Sequence, residues 1–432
     1  MVGLGIPLRA TIASLSLLVW LIPIPVCAQI IPDSTLPEPS RVTLDGDTLE
    51  ITNGTIAGSN LFHSFSQFDL PATAIAEFAQ DTPIDNIIAR VTSDRGTTID
   101  GLLRANGTAN LYLLSPAGLT FGESARLELG GSFVGSTATG LLFADGGVFS
   151  AVNSAVTDSV LSVNVPIGLQ LGSEIERAGL APIGLTGSEL VAPGRVVLGG
   201  GTIALDQAAI VQGSGVEIIG SSLDVLGGSR IQSIVSDPLE AEVAEASIRL
   251  DLSDRVTIAG FTADGQYSGI FSQTTGSAIG GDIITIAPEV TLRDRGFIAT
   301  QTTGLGDGGA IGLDVDRLTL SHGGQILSEA IASGNAGAIA IRARDAVTID
   351  GRSDRFRVSP FANLPSAYDL TGLEFTTDLD PNIEAADTIP HLSLARTTTD
   401  IRSGDTRLAT AQDAVFDYYI FAIDTPQQPR HF

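Results

Sequence analysis

Few residues of this chain could carry chemistry, and they are scattered. The stretch Gly304–Gly309, GLGDGG, satisfies the G-x-G-x-x-G pattern, but the strand–helix unit that binds a dinucleotide does not surround it. It is interpreted as a turn between strands. The four histidines show no metal-ligand spacing: His63, His322, His391 and His431. The sequence therefore predicts no catalytic residue, no metal site and no cofactor, and His63 is expected to be a packed residue.

The composition is that of an acidic chain with enough apolar residues to form a core. Among 432 residues there are 49 Asp and Glu against 23 Lys and Arg, which gives a net charge of −26. Nucleic acid is excluded as a partner, because neutralising phosphates requires a basic face. An apolar content of 43% with only 17% charged residues supports a buried core. A single cysteine, Cys27, leaves no disulfide framework.

The amino terminus has the pattern of a cleavable secretory signal. Arg9 precedes the apolar run Thr11–Val26, and small residues follow up to Ala28. A membrane anchor would need about 20 apolar residues, without prolines such as those near the end of this run. No later run reaches that length. We expect cleavage after Ala28, a mature chain that begins at Gln29 and no stable transmembrane span.

The second half of the chain contains an internal repeat. Three segments begin at Gly281, Gly309 and Gly337, and each reads Gly-x-Ile, an alternating strand, a polar turn, and a second strand ending in TL or TI. A fixed period without helices indicates stacked strands. The pattern predicts a parallel β-helix with inward Ile and Leu and outward Thr, Asp and Arg. Residues 45–351 leave room for roughly a dozen coils.

Three motifs in the first half of the chain carry a resemblance to a known family. They are NLFHSFSQFDL from Asn60, NIIARVTSDRGTTIDGLLRANGTANLYLLSPAGLTFG from Asn86, and LELGGSF from Leu127. From about Thr43 to Leu171 the chain closely resembles the haemagglutination-activity domain of filamentous-haemagglutinin-like two-partner-secretion exoproteins. The resemblance implies an all-β fold, a right-handed parallel β-helix with an N-terminal cap.

The resemblance also implies a route of export and a function outside the cell. Such proteins reach the periplasm with a signal peptide and leave through a dedicated outer-membrane β-barrel transporter of the two-partner type. We therefore expect a protein that is secreted, or held at the outer cell surface, as an adhesin or surface-interaction rod. Host or neighbour-cell glycans are its expected ligands. Residues Thr43 to Phe68 are the expected cap.

The motif residues are the candidates for the cap and for transporter recognition. They are Asn60, Leu61, Phe62, His63, Ser64, Phe65, Phe68, Asn86, Arg90, Asn110, Ser115, Pro116, Gly118, Phe121, Gly122, Gly131, Ser132 and Phe133. The family usually shows Asn-Pro-Asn-Gly where this chain has Ser115 to Gly118. Ser115 can replace one asparagine as a turn-capping side chain, whereas Ala117 cannot.

A β-helix polysaccharide lyase or hydrolase is the alternative function, because fold alone does not decide function. Such an enzyme needs convergent carboxylates, or a basic residue beside calcium-binding acids. The charged residues of the repeats follow the outward alternation of a solvated face instead: Arg293, Asp294, Arg295, Asp314 and Asp316. The non-enzymatic rod is the preferred prediction.

Four regions are predicted. Residues 1–28 are the signal peptide, 29–190 the haemagglutination-activity domain, 191–351 the repeat coils, and 352–432 a C-terminal cap or docking segment. The last region loses the repeat but contains the apolar stretch Ala414–Ile423, AVFDYYIFAI. This stretch could cap the last coil, or could dock a partner strand by edge addition.

Overall fold

The computed structural model describes residues 29–152, 166–235, 248–350, 393–395 and 420–424. The predicted signal peptide, residues 1–28, lies outside the described residues, as does most of the predicted region 352–432. Within the described part, no helix is long and apolar enough to cross a membrane.

Four short strands form a cap at the amino-terminal end: β1 (Gln29–Pro32), β2 (Ser40–Asp45), β3 (Thr48–Asn53) and β4 (Thr55–Ala57). Strands β2 and β3 form a hairpin. Both β1 and β4 pair antiparallel with β5 (Asn60–Asp69), the first strand of the coil. Among the described residues the cap therefore begins at Gln29, which corrects the expected start at Thr43. An antiparallel strand cannot continue a parallel stack, so β1, β2 and β4 close the sheet edge, while β3 pairs parallel with the next coil.

The early coils consist of short strands, each three to six residues long. They are β6 (Ile75–Phe78), β7 (Asn86–Val91), β8 (Thr97–Ile99), β9 (Leu102–Ala105), β10 (Asn110–Leu114), β11 (Leu119–Phe121), β12 (Arg126–Glu128) and β13 (Phe133–Ser136). Corners that contain glycine separate most of them, from β7 onward.

An insertion that the sequence did not predict follows β13. It contains a three-stranded antiparallel sheet, β14 (Gly140–Phe143), β15 (Val148–Ser150) and β16 (Pro166–Leu169), and one helical turn, α1 (Glu174–Arg177). We call the three strands the extra-helical sheet, because they pair only with one another. The coil then resumes with β17 (Ile183–Thr186), β18 (Glu189–Val191), β19 (Val196–Gly199), β20 (Thr202–Asp206) and β21 (Ile210–Gly213).

The later coils have longer strands. They are β22 (Val216–Leu226), β23 (Arg230–Val235), β24 (Ile248–Ala259), β25 (Gly269–Thr274), β26 (Ile283–Arg293), β27 (Phe297–Thr302), β28 (Ile311–Ser321), β29 (Gln325–Ala330) and β30 (Ile339–Asp350). Two further strands, β31 (Ser393–Ala395) and β32 (Ile420–Asp424), pair with each other, and β32 pairs parallel with β29. The role of the C-terminal region as a cap stays a prediction.

The coils stack into three faces of parallel strands. Face 1 runs from β5 through β7, β10, β13 and β19 into β22, and face 2 from β8 through β11, β17 and β20 into the same strand. From β22 onward one long strand per coil serves both faces. Face 3 runs from β3 to β29. The predicted all-β, parallel β-helix is confirmed.

The core is a set of stacked apolar columns inside the coils. On face 1, ten residues stand in register from the first coil to the last: Leu61, Ile87, Leu111, Phe133, Val196, Val216, Ile248, Ile283, Ile311 and Ile339. None is more than 4% exposed. The 28-residue period is observed in the pairing of Ile283, Ile311 and Ile339. Backbone hydrogen bonds between neighbouring coils and the burial of apolar side chains together stabilise the stack.

Candidate transporter-recognition site and cap

Three of the predicted asparagines form a ladder where face 1 begins. Asn60, Asn86 and Asn110 stand in register on β5, β7 and β10. The Asn86 side-chain amide donates to Asn60 Oδ1 at 2.8 Å, and the Asn110 amide donates to Asn86 Oδ1 at 3.0 Å. Asn110 Oδ1 accepts the backbone N–H of Ser132 at 2.8 Å, and Ser132 Oγ accepts the N–H of Arg195. The ladder satisfies buried amides, which would otherwise cost stability.

Alternate residues of the first motif point into the core. Leu61, His63 and Phe65 face inward, and after a bulge in the pairing Phe68 does too. Phe65 and Phe68 pack edge to face with ring centres 5.2 Å apart. Two further motif phenylalanines, Phe121 and Phe133, meet edge to face at 6.1 Å deeper in the coil. Aromatic side chains therefore contribute to the core of the early coils, whereas the face 1 column of the later coils consists of Val and Ile.

The predicted turn at Ser115–Gly118 is present. The Gly118 N–H donates to the Ser115 carbonyl at 3.0 Å, and Gly118 has a φ of +124°, which glycine tolerates. Pro116 occupies the second turn position. The Ser115 hydroxyl is 3.0 Å from the Gly118 carbonyl and 2.9 Å from Thr97 Oγ1. Ser115 therefore supplies a turn-capping side chain, as expected where the family has asparagine.

The motif glycines mark corners where neighbouring coils touch. A Cβ at Gly122 would lie 2.3 Å from Asp100 Oδ1, and one at Gly131 would lie 2.6 Å from the Ala109 carbonyl oxygen. A side chain at Gly131 is excluded by the backbone of the preceding coil, whereas one at Gly122 would displace the Asp100 side chain.

Arg90 is the largest fully buried charged side chain, 1% exposed on the outward side of β7. Its Nε donates to Ser64 Oγ at 2.9 Å, its Nη2 donates to Thr35 Oγ1 at 2.8 Å, and its Nη1 donates to the Ser150 carbonyl. Burial lowers the pKa of Arg90, and the nearby charge of Asp33 opposes this. The guanidinium joins the first coils to the residues after β1 and to the extra-helical sheet.

Asp33 completes this polar cluster. Its carboxylate accepts hydrogen bonds from the Thr35 backbone and hydroxyl, from Ser64 Oγ at 2.8 Å and from Thr92 Oγ1 at 2.9 Å. Burial raises the pKa of Asp33, but these hydrogen bonds together outweigh it and the pKa is lowered. We call Asp33, Thr35, Ser64, Arg90 and Thr92 the Arg90 cluster.

A second apolar core lies outside the coil, next to the Arg90 cluster. Phe62, which points outward, packs on Phe143 and Phe149 of the extra-helical sheet, with ring centres 6.0 and 4.9 Å away. Ile88 and Leu114 of face 1 belong to the same core. An outward residue is thus buried because the insertion covers this part of face 1.

Sequence reasoning missed several residues of the site: Asp33, Thr35, Thr92, Phe143 and Phe149. None lies in a repeat, and the alternation of polar and apolar residues does not reveal contacts between segments 55 to 60 residues apart. The one available signal was Arg90 itself, an arginine within the buried run NIIARV, which needs polar partners.

The other residues that the sequence singled out form a corner of the coil or ion pairs between charged side chains. Gly304 to Gly309 lie at a corner of the coil, and a Cβ at Gly306 would be 1.7 Å from the Ala278 carbonyl oxygen of the coil before. Asp314 and Asp316 pair with Arg344, and Asp294 pairs with Arg293. No cluster of three potential metal ligands occurs among the described residues.

Residues 28–233 match the family model described as the TPS secretion domain. No curated protein matches the sequence. Among solved structures, the HMW1 secretion domain from Haemophilus influenzae is similar, with 15% sequence identity, a TM-score of 0.42, and coverage of 76% of this chain and 90% of that chain. The match over residues 28–233 confirms the predicted resemblance of this part of the chain to the secretion domain of filamentous-haemagglutinin-like two-partner-secretion exoproteins.

Proposed function

We propose that the protein crosses the outer membrane through a β-barrel transporter of the two-partner type and acts outside the cell as a non-enzymatic adhesin or surface-interaction rod. The family match over residues 28–233 carries this proposal. The secretory signal at residues 1–28 would deliver the chain to the periplasm first. The boundaries 29–190, 191–351 and 352–432 are the proposed divisions of the exported chain.

The burial of the motif residues bears on how the transporter recognises them. Asn60, Phe62, Ser64 and Arg90 are each at most 1% exposed, so a partner cannot contact them in the folded domain. In the proposed function the transporter binds these segments before they fold. Folding outside the cell then buries them and leaves the coil as the stable product.

The later coils suit a surface role. On face 2, Thr257, Thr291, Thr319 and Thr348 stand in register as an outward column. Beside them Arg317 bridges Glu289 and Asp345, at 3.0 Å to the latter. Hydroxyls and paired charges in a regular array favour a polar ligand, and we propose a glycan of a host or neighbouring cell. The double variant T291A/T319A should bind such cells more weakly than the wild type.

Export is tested by co-expressing the full chain with the candidate transporter and measuring the protein in medium and periplasm separately. Asn86→Ala breaks the asparagine ladder and alters a motif, so it should shift protein from the medium to the periplasm. Asn335→Ala is the matched control. It removes a side-chain bond to Asp307 at a corner outside residues 28–233, and should be exported normally. Export of the wild type without the transporter would contradict the proposal.

A further inference from the structure

His63 occupies an inward position of the first coil, directly beneath the cap. It is 0% exposed and stands in register with Ala89 on β7. Its ring centre lies 6.0 Å from that of Phe65 and 5.4 Å from that of Phe78. A Cβ at Gly54, between β3 and β4, would be 3.0 Å from the ring. The imidazole is therefore enclosed by the cap and by apolar side chains.

The imidazole has one polar partner. Nδ1 is 2.9 Å from Ser40 Oγ on the outer cap strand β2. Nε2 is buried and has no hydrogen-bond partner among the described residues. A neutral ring can accept this arrangement, because only one nitrogen then carries a proton. A protonated ring would bury a second N–H and a full charge without compensation.

In the described part of the chain, no charged group offers that compensation. The charged residues on the surrounding strands lie elsewhere: Arg41 and Glu50 are exposed, Glu77 lies 3.8 Å from Arg104, and Arg90 is on the outward side of β7. A carboxylate facing the ring would have stabilised its charged form. Among the described residues, the structure places the Phe65 and Phe78 rings, the Gly54 backbone and the Ser40 hydroxyl against His63.

We propose that His63 makes the attachment of the β2–β3 hairpin to the first coil acid-labile, so that protonation of this buried imidazole loosens the cap. The inference goes beyond export and adhesion, because it concerns the folded chain alone. Loosening the hairpin uncovers Ile51 and Phe78 and opens the edge of face 3, which the cap otherwise closes.

The direction of the pH dependence follows from linkage. Burial lowers the pKa of His63 from 6.5 to about 3. Above pH 6.5 the histidine is neutral in both folded and unfolded chains and costs nothing. As the pH falls from 6.5 towards 3, the unfolded chain binds a proton that the folded chain does not, so stability falls across this window.

The test compares urea unfolding of the mature chain at pH 7, 6 and 5 for the wild type and His63→Leu. Below pH 6.5 the unfolding equilibrium constant of the wild type should rise by up to about tenfold per pH unit relative to that of H63L. The carboxylates are common to both proteins and cancel. His322→Gln replaces an exposed histidine and is the control, whose profile should follow the wild type.

Identical pH profiles for the wild type and H63L would overturn the proposal. If H63L does not fold, hydrogen exchange on the wild type decides. After correction for intrinsic rates, amides of Ser40–Asp45 and Thr48–Asn53 should lose protection between pH 7 and 5, while those of Ile183–Thr186 in a central coil should not. Equal behaviour of the two regions would also overturn it.

Discussion

The guanidinium carbon of Arg90 lies 4.5 Å from the centre of the Phe149 ring. This contact joins a strand of the second coil to the extra-helical sheet, whose neighbouring Ser150 is 60 residues away in the sequence. The same guanidinium binds Thr35, just after β1. One buried charge thus connects the amino-terminal strand, the coil and the insertion, which the parallel ladder alone does not link.

Arg90→Met should therefore destabilise the domain strongly. The methionine can fill part of the space against Phe149, but it removes the hydrogen bonds that Arg90 donates to the Ser150 carbonyl and to the hydroxyls of Ser64 and Thr35. We expect a loss of about 2–4 kcal/mol in the free energy of unfolding. Chemical denaturation of the mature chain measures this loss.

Arg104→Met is the matched control for that substitution. Arg104 pairs with Glu128 at 2.8 Å and with Glu77 at 3.8 Å, but its side chain is 30% exposed. An exposed pair of this kind contributes at most about 1 kcal/mol. Comparable losses for the two variants would show that the Arg90 cluster is no more important than a surface ion pair.

The sequence predicted the parts of the fold that repeat. Equivalent residues recur every 28 positions from Gly281, and the alternation of Ile with Thr or Asp fixes which side chains are inward. Three of the motif residues come together in the structure, since Asn60, Asn86 and Asn110 form one ladder. Periodicity reports burial wherever each coil meets its neighbours in the same way.

The parts without periodicity could not be predicted in this way. Strand β1 pairs antiparallel with β5, and the extra-helical sheet covers Phe62, but each arrangement occurs once. Phe62 points outward, and its apolar side chain packs against residues some 80 positions further along the chain. Asp33 has no sequence signal of its own, because its partners come from three separate segments.

A corner glycine and a strand glycine should differ sharply in their tolerance of alanine. Gly131→Ala would place a Cβ 2.6 Å from the Ala109 carbonyl and 2.7 Å from the Thr108 carbonyl. Since both obstacles are backbone atoms, the coils must move apart, at a cost of about 1–3 kcal/mol. Gly312→Ala, in β28, meets nothing within 4 Å and should be neutral, or stabilising by about 0.4–1 kcal/mol. Thermal unfolding of both variants distinguishes these outcomes, and equal midpoints would contradict the argument.

The inward and outward assignment of the last coil is tested by two adjacent residues. Ile341 is 2% exposed and in register with Leu313, so Ile341→Asp buries a carboxylate in the apolar column and should cost more than about 3 kcal/mol. Arg342 is exposed, and Arg342→Ser should change stability by no more than about 0.5 kcal/mol. Equal melting temperatures would reject the strand register.

The final prediction concerns the acid limb of stability. Although burial raises the pKa of Asp33, hydrogen bonds from Thr35, Ser64 and Thr92 lower it below the ordinary 3.8. The ionised carboxylate therefore stabilises the fold above that pH, and this contribution disappears as the pH falls through the lower folded-state pKa. Asp33→Asn should destabilise the chain at pH 7, and its deficit against the wild type should shrink at pH 3. Both proteins contain His63, so its protonation cancels in the comparison. Urea unfolding at the two pH values measures the difference, and a deficit that is independent of pH would mean that the charge of Asp33 does not stabilise the Arg90 cluster.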